Sequence, residues 1–318
     1  MQRLNLLPDY HLNYIKGLTK ANSDILEYGH EPLFVSRKKP NRNKVALVSG
    51  GGSGHEPLHC GFVGQGMLDV AVPGSVFSSP SAMQISNAIS LYCGKDQDVV
   101  FIVKNYEGDR MNFEIASELI TQHTAIVMVK DDISIEDNSK SRGISGTIIY
   151  EKLLGAAAER GDTLHQLKVL ATQIEQNIAS LGVKLAPPEL QLDSEQNVVE
   201  FGVGIHGEPG IDSKQGSNCQ QVVAEVAQSV SSYLTLNNRD NVLVVVNGLG
   251  GMTSAELYVI FEYVSQYFKK YHITIRFSLV GNFVTSLSTY GFSLTVCKML
   301  PSFEALWSWP VKTSSLRW

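Results

Sequence analysis

The sequence has few of the features that announce a chemistry by composition alone. Its four cysteines, Cys60, Cys93, Cys219 and Cys297, lie far apart and form no Cys-x-x-Cys pair. A zinc site or thiol–disulfide exchange therefore has no support, and the four read as small buried apolar side chains. No apolar run reaches the about 18 residues needed to span a bilayer, and Met1–Tyr10 is polar without a signal-peptide core. No membrane role and a cytoplasmic location are expected. Charged residues make up only 18% of the 318 positions, the net charge is −5, and no basic cluster exceeds Ser36-Arg37-Lys38-Lys39. Direct binding to nucleic acid is not expected from so mildly acidic a chain. Gly-Lys-Ser/Thr is also missing, so there is no P-loop, and no metal site is recognisable.

What is present is apolar and ordered in alternation. At 43% hydrophobic residues the chain can fill two cores. Lys44–Val48, Val99–Val103 and Ala125–Val129 read as short buried strands, each ending in polar or glycine-rich residues. Helical patterns fall between them, such as Met111–Ile120. Residues 147–181 read as two helices, with Gly161-Asp162-Thr163 as a break and an N-cap ahead of Leu164. Residues 182–200 turn polar around Pro187-Pro188 and read as a linker. The pattern then restarts: a strand at 198–203, a helix at 218–234, a strand at 241–246, a helix at 254–267 and a strand at 274–280. The expectation is an α/β protein of two domains, 1–185 and 186–318, with mixed, largely parallel sheets covered by helices. The tail Trp307–Trp318, with three tryptophans, is expected to be pinned to the surface.

In open α/β sheets, ligands bind at the carboxyl ends of strands. Four polar, glycine-containing turns are expected there: 49–57, 104–109, 204–210 and 247–251. In the first, Gly52 and its neighbours can bring backbone N–H groups close to ligand oxygens, and His55 and Glu56 stand where the turn would open into a helix. A solvated histidine on a tight turn fits the same string. Asp109 can accept a proton from a substrate hydroxyl or cap the helix starting near Met111. Lys104 can balance charge at that rim or be an ordinary solvated lysine. His206 lies among small residues, Gly204-Ile205-His206-Gly207-Glu208-Pro209-Gly210, and a neutral imidazole nitrogen there can attack an electrophilic carbonyl carbon. A turn histidine bonded to backbone fits equally. His11, His59 and His165 have no comparable setting and read as surface or core residues.

The string Ser49-Gly50-Gly51-Gly52-Ser53-Gly54-His55-Glu56-Pro57 resembles the substrate-binding subunit of bacterial dihydroxyacetone kinases. The likeness continues through His59-Cys60-Gly61, Gly64–Leu68, Lys104-Asn105-Tyr106 with Gly108-Asp109, Lys152-Leu153 with Gly155–Glu159, Phe201–Ile211 and Thr285-Ser286-Leu287, which is nearly the whole chain. The resemblance implies that His206 holds the ketone's carbonyl carbon as a hemiaminal. It implies that Gly52, His55, Lys104 and Asp109 hold its oxygens, and that Asp109, helped by His55, activates the terminal hydroxyl. It also implies a homodimer, and it places ADP and magnesium on a separate subunit, so that this chain carries no cofactor.

The sequence departs from the family's pattern around that pocket. Met83 stands where an acid is usual, a family loop is shortened to Ser139–Gly143, Ser288 replaces a common Asp, and Leu306–Pro310 and the 247–252 turn are altered. Retained ligand residues with altered surroundings fit the family's non-kinase paralogue. That paralogue is a coactivator that binds dihydroxyacetone and joins a TetR-type transcription factor. A working kinase subunit, docking a nucleotide-binding subunit, is the alternative.

Overall fold

A computed structural model describes residues 9–186, 198–216, 218–287 and 289–318. The polar start before Asp9, the Pro187-Pro188 linker and Ser288 lie outside the described residues.

In chain order the elements are α1 (Tyr10–Ala21), β1 (Leu26–His30), β2 (Leu33–Arg37), β3 (Ala46–Ser53), β4 (Val70–Val76), α2 (Ala82–Tyr92), β5 (Val99–Lys104), α3 (Glu107–Leu119) and β6 (Thr124–Val129). There follow α4 (Thr147–Arg160), α5 (Leu164–Glu175), β7 (Ile178–Leu185), β8 (Val198–Phe201), β9 (Asp212–Gln215), α6 (Cys219–Tyr233), β10 (Asn241–Gly248), α7 (Ser254–Lys270), β11 (Thr274–Gly281), β12 (Gly291–Lys298) and α8 (Pro301–Trp307). None of the described helices is long and apolar enough to cross a membrane.

The strands make two six-stranded sheets, ordered β1-β2-β4-β3-β5-β6 and β11-β10-β12-β7-β8-β9. Each belongs to one of two compact units, and the units are not consecutive in sequence. One unit contains the chain up to Met128, then Ile149–Ala171 and Leu306–Trp318; the other contains Val129–Ile148 and Thr172–Ala305. The expected single division near residue 186 is thus replaced by four crossings. The end of the expected second helix, 178–181, and the start of the expected linker, 182–185, form one strand: β7 pairs antiparallel with β12 from Ile178↔Cys297 to Lys184↔Gly291. The second of the two expected helices accordingly ends at Glu175, short of residue 181.

In the first unit β3 pairs parallel with β4 and β5. β5 (Val99-Val100-Phe101-Ile102-Val103-Lys104) is buried at every position, as a strand of a sheet covered on both faces is. One face packs α2 and α3: Ile85, Ala88 and Ile89 join Phe113 and Ala116 around Val48, Val72 and Phe101. Phe101 and Phe113 meet edge to face at 5.4 Å, and full burial of such a ring contributes about 1.5–3 kcal/mol. In α4, Tyr150, Leu153, Leu154, Ala156, Ala157 and Ala158 are all fully buried, and so are the ionisable Glu151 and Lys152. Gly155 lets it approach another segment: a Cβ there would lie 2.4 Å from Gly66 O. The tail is partly core, since Trp307, Val311 and Leu316 are buried and Trp318 is exposed.

The second sheet is mixed but mainly antiparallel. Only β10–β11 runs parallel among its pairs, which corrects the largely parallel expectation for this half. Val222, Val226 and Val230 of α6 and Leu257, Ile260 and Val264 of α7 pack with Val242, Val244 and Val246. Both helices begin with a reciprocal capping box, Asn218 with Gln221 and Thr253 with Glu256. A buried polar line runs through the unit. Asn247 Nδ2 donates to Ser293 Oγ (3.0 Å), Ser293 Oγ to Ser145 Oγ (2.9 Å), and Thr295 Oγ1 lies 2.6 Å from both Ser145 and Ser180 hydroxyls. Every group in that line has a partner, so its burial carries no desolvation deficit. Three cysteines are buried as expected, while Cys219, the first residue of α6, is exposed.

Candidate functional site

Strand β3 does not stop at Val48. It continues through Gly50, Gly51 and Gly52 to Ser53, paired with β4, so the glycines are strand residues and not the expected turn. Their lack of side chains serves close approach. A Cβ on Gly51 would lie 2.4 Å from Lys104 Nζ and 3.4 Å from Asp109 Oδ2, and one on Gly52 would lie 2.6 Å from Ser78 N. The turn itself comes at Gly54, with φ +110°, whose N–H donates to Glu56 (3.0 Å). Tyr10 Oη donates to the same carboxylate at 3.3 Å. No helix opens at His55; a short 3-10 turn at Cys60–Phe62 comes later. His55 is buried, with its ring 5.3 Å from Phe77, so the solvated-histidine alternative is excluded.

Asp109 is not a cap. Helix α3 starts at Glu107 after Tyr106, four residues earlier than expected, and Asp109 sits within its first turn. There the helix dipole favours a carboxylate. The side chain is 6% exposed and lies 3.3 Å from Lys104 Nζ. Lys104, the last residue of β5, is likewise buried, and its ammonium faces two further acceptors, His59 Nε2 at 3.0 Å and Gly50 O at 3.5 Å. An ammonium has three donors, and three acceptors surround it. A ligand oxygen bonding to Lys104 would replace one of them.

His59, expected to be an unremarked surface or core residue, is the hub of this cluster. Lys104 can only donate, so His59 Nε2 accepts and the ring proton of neutral His59 resides on Nδ1. Nδ1 lies 2.6 Å from Glu151 Oε1 and 2.9 Å from Ser49 Oγ. Ser49 spends its own proton on Ile102 O, 2.6 Å away, and so accepts from Nδ1. The electrostatics agree: burial, then Lys104 and His55, hold the His59 imidazole well below its usual pKa. Burial pushes the Glu151 carboxyl well above the carboxylate range, against the opposing pull of Lys104. The neutral imidazole and neutral carboxyl thus support a Lys104–Asp109 charge pair.

His206 belongs to the second unit, in the loop after β8. Gly202 (φ +75°) and Gly207 (φ +85°) bend that loop in the left-handed region. The His206 side chain is 22% exposed, but its Nδ1 is shielded from solvent and faces Glu208 Oε1 at 3.6 Å. The other carboxylate oxygen accepts from His206 N–H at 2.8 Å. Burial raises the Glu208 carboxyl; the hydrogen bonds from His206 and the local backbone outweigh it and bring the pKa down to about 2.

Sequence reasoning therefore named Gly52, His55, Lys104, Asp109 and His206, and the first four gather at the ends of β3 and β5. It missed Ser49, His59, Glu151 and Glu208. The only local hint was their place in or beside the glycine-rich strings. Among the described residues no group of His, Cys, Asp and Glu is arranged to hold a metal ion.

The Dak1 domain matches residues 16–315. The dihydroxyacetone-binding subunit DhaK of the PEP-dependent dihydroxyacetone kinase of Escherichia coli is 36% identical over 352 aligned positions, covering 99% of this chain and 98% of that protein. The DhaKLM operon coactivator DhaQ of Lactococcus lactis is 35% identical over 273 positions, 81% of this chain and 83% of its own. The solved structure of a dihydroxyacetone kinase operon co-activator, Dha-DhaQ, superposes with a TM-score of 0.86 at 31% identity over 95% of this chain and 97% of that one. With a matching domain and relatives at this identity along almost its full length, the chain belongs to the Dak1 domain family.

Proposed function

We propose that this chain binds dihydroxyacetone as a covalent hemiaminal on His206 and acts as the ligand-sensing coactivator of a TetR-type transcription factor controlling a dihydroxyacetone kinase operon. A small neutral sugar offers no charge for recognition. A bond to its carbonyl carbon selects it over glycerol, which has no electrophilic carbon. Gly52, His55 and Asp109 then orient the hydroxyls. The observation that carries the sensor reading is the contrast between pocket and rim. The Lys104–Asp109 pair and its supports are intact, whereas Met83, in the first turn of α2, presents a 58% exposed apolar side chain where the family resemblance leads one to expect an acid. A coactivator also stands among the relatives at an identity similar to that of the kinase subunits.

The second reading is a kinase substrate-binding subunit. What favours it is Asp109 itself, a carboxylate held in the first turn of α3 beside Lys104, which suits removal of a proton from a hydroxyl during phosphoryl transfer. The two readings share the ketone and differ in partner. The deciding experiment retrieves partners with the ketone-loaded protein, identifies them by mass, and uses His206→Ala as control. Ligand-dependent capture of a TetR-type regulator is expected. Capture of a nucleotide-binding kinase subunit, with dihydroxyacetone phosphorylation on mixing, overturns the sensor reading. For a sensor the ligand must favour one state of the complex, so the regulator's affinity must change on ketone addition.

A further inference from the structure

We infer that Glu208 is a positioning residue that holds His206 in the tautomer with its proton on Nδ1, leaving the Nε2 lone pair as the nucleophile. This deepens the proposed function and rests on it only for the identity of the electrophile.

The geometry builds Glu208 for one orientation. Its Oε2 accepts from the His206 backbone N–H at 2.8 Å, which closes a tight loop over two residues. That places Oε1 3.6 Å from Nδ1 of the same residue, a charge contact just beyond hydrogen-bond length that shortens when the ring becomes cationic. Gly204 makes the room. A Cβ there would lie 2.3 Å from Glu208 Oε2 and 2.7 Å from Arg142 Nη1. Arg142 is fixed in turn: Nε donates to Asp132 Oδ2 at 2.7 Å, and Nη2 donates to Ser134 Oγ at 2.9 Å and to Gly202 O at 2.8 Å. A guanidinium is thus tied to the loop carrying His206, and its Nη1 and Glu208 Oε2 both border the space that a side chain on Gly204 would fill. The low pKa of Glu208 keeps that carboxylate charged throughout the neutral range.

A carboxylate accepts and cannot donate, so the ring nitrogen facing it carries the proton. Nε2 then attacks the carbonyl carbon. The Nε2–C bond forms, the C=O π bond breaks, and its electron pair goes to oxygen, which takes a proton from solvent to become the hemiaminal hydroxyl. The ring is left cationic with Nδ1–H against Glu208, until that proton passes to water and gives the neutral adduct. Glu208 stabilises the charge at the step where it appears.

The test uses two readouts on the full chain. Long-range ¹H–¹⁵N spectra of ¹⁵N-histidine-labelled protein without ligand report the His206 tautomer. Intact-mass time courses with dihydroxyacetone report the rate of capture. Wild type is expected to show Nδ1–H; Glu208→Gln is expected to lose that preference and to capture about tenfold or more slowly, the scale of loss seen when the outer partner of a metal-bound histidine is removed. Glu208→Asp is expected to recover part of both. Retention of Nδ1–H and of the wild-type rate in Glu208→Gln overturns the inference and leaves the ketone reading intact. Failure of wild type to gain the ketone's mass overturns the ketone reading, while the tautomer spectra still decide the role of Glu208.

Discussion

Lys104 Nζ lies 3.0 Å from His59 Nε2, and this one contact sets the proton inventory of the buried cluster. Because the ammonium can only donate, His59 is neutral with its proton on Nδ1, and Glu151 Oε1 accepts a hydrogen bond from that N–H at 2.6 Å. A lysine that reads in the sequence as a ligand contact is therefore also the anchor of Asp109, which it meets at 3.3 Å.

Glu151→Gln tests the charge state. An acid whose folded pKa is raised binds more protons in the native state than in the unfolded one between the two values. Stability therefore falls as pH rises from the unfolded pKa, about 4.3, through the folded one, and stays low above it. The Gln variant lacks that loss. Its melting temperature relative to wild type is expected to climb between pH 4 and pH 8, in thermal melts followed by circular dichroism. A variant that instead falls further below wild type as pH rises would mean an ionised Glu151 paired with a cationic His59.

Gly51→Ala tests the close approach. Its new Cβ would sit 2.4 Å from Lys104 Nζ, so the ammonium must leave Asp109. Loss of one charge-assisted contact, about 1.5–3 kcal/mol, corresponds to roughly ten- to hundredfold weaker dihydroxyacetone binding by calorimetry. Unchanged affinity would remove the Lys104–Asp109 pair from the ligand site.

Asp69→Ala tests a structural cluster away from the site. The Asp69 carboxylate accepts from Lys44 Nζ, from Arg37 Nη1 at 2.9 Å and from Leu47 N at 2.9 Å. Removing it strands buried Lys44 without its acid, which is expected to cost about 3–5 kcal/mol in urea unfolding. A loss below about 1 kcal/mol, the value of an exposed pair, would contradict the burial.

Lys152 gives a pH dependence of opposite sign. It is buried, its Nζ donates to Leu306 O at 2.7 Å, and burial lowers its pKa to about 8. Between about 8 and the unfolded value near 10.4 the unfolded chain binds the extra proton, so stability rises with pH in that window. Lys152→Met is expected to lack the rise, seen by comparing melts of both proteins at pH 7.5 and pH 10. An equal rise in the variant would assign the effect to another group.

The elements read correctly in advance carry local signals. Val99–Val103 is an unbroken run of apolar, mostly β-branched residues, and Thr163 caps α5 as its spacing with Leu164 suggested, with Gln166 N donating to Thr163 Oγ1 at 3.4 Å. Gly291–Lys298 went unread as a strand although Phe292, Leu294 and Val296 alternate. Its flanking pairs, β10 and β7, lie 44 to 119 positions away, from Gly248↔Phe292 to Ile178↔Cys297. Ile178–Leu185 was absorbed into a helix and a linker for the same reason. The tail's return, which makes the first unit discontinuous, leaves no local mark.

The sequence by itself determined the α/β class, the glycine-rich strings, and the candidacy of His55, Lys104, Asp109 and His206, because residue type and short-range spacing suffice for these. The tertiary structure alone decided that Gly51 is a floor for an ammonium, that Asp109 lies inside a helix, and that His59 and Glu151, 92 positions apart, share a proton. Burial and hydrogen-bond partnership are properties of neighbours in space. A histidine's proton is set by whichever donor or acceptor the fold brings to each ring nitrogen, and no window of sequence contains that partner.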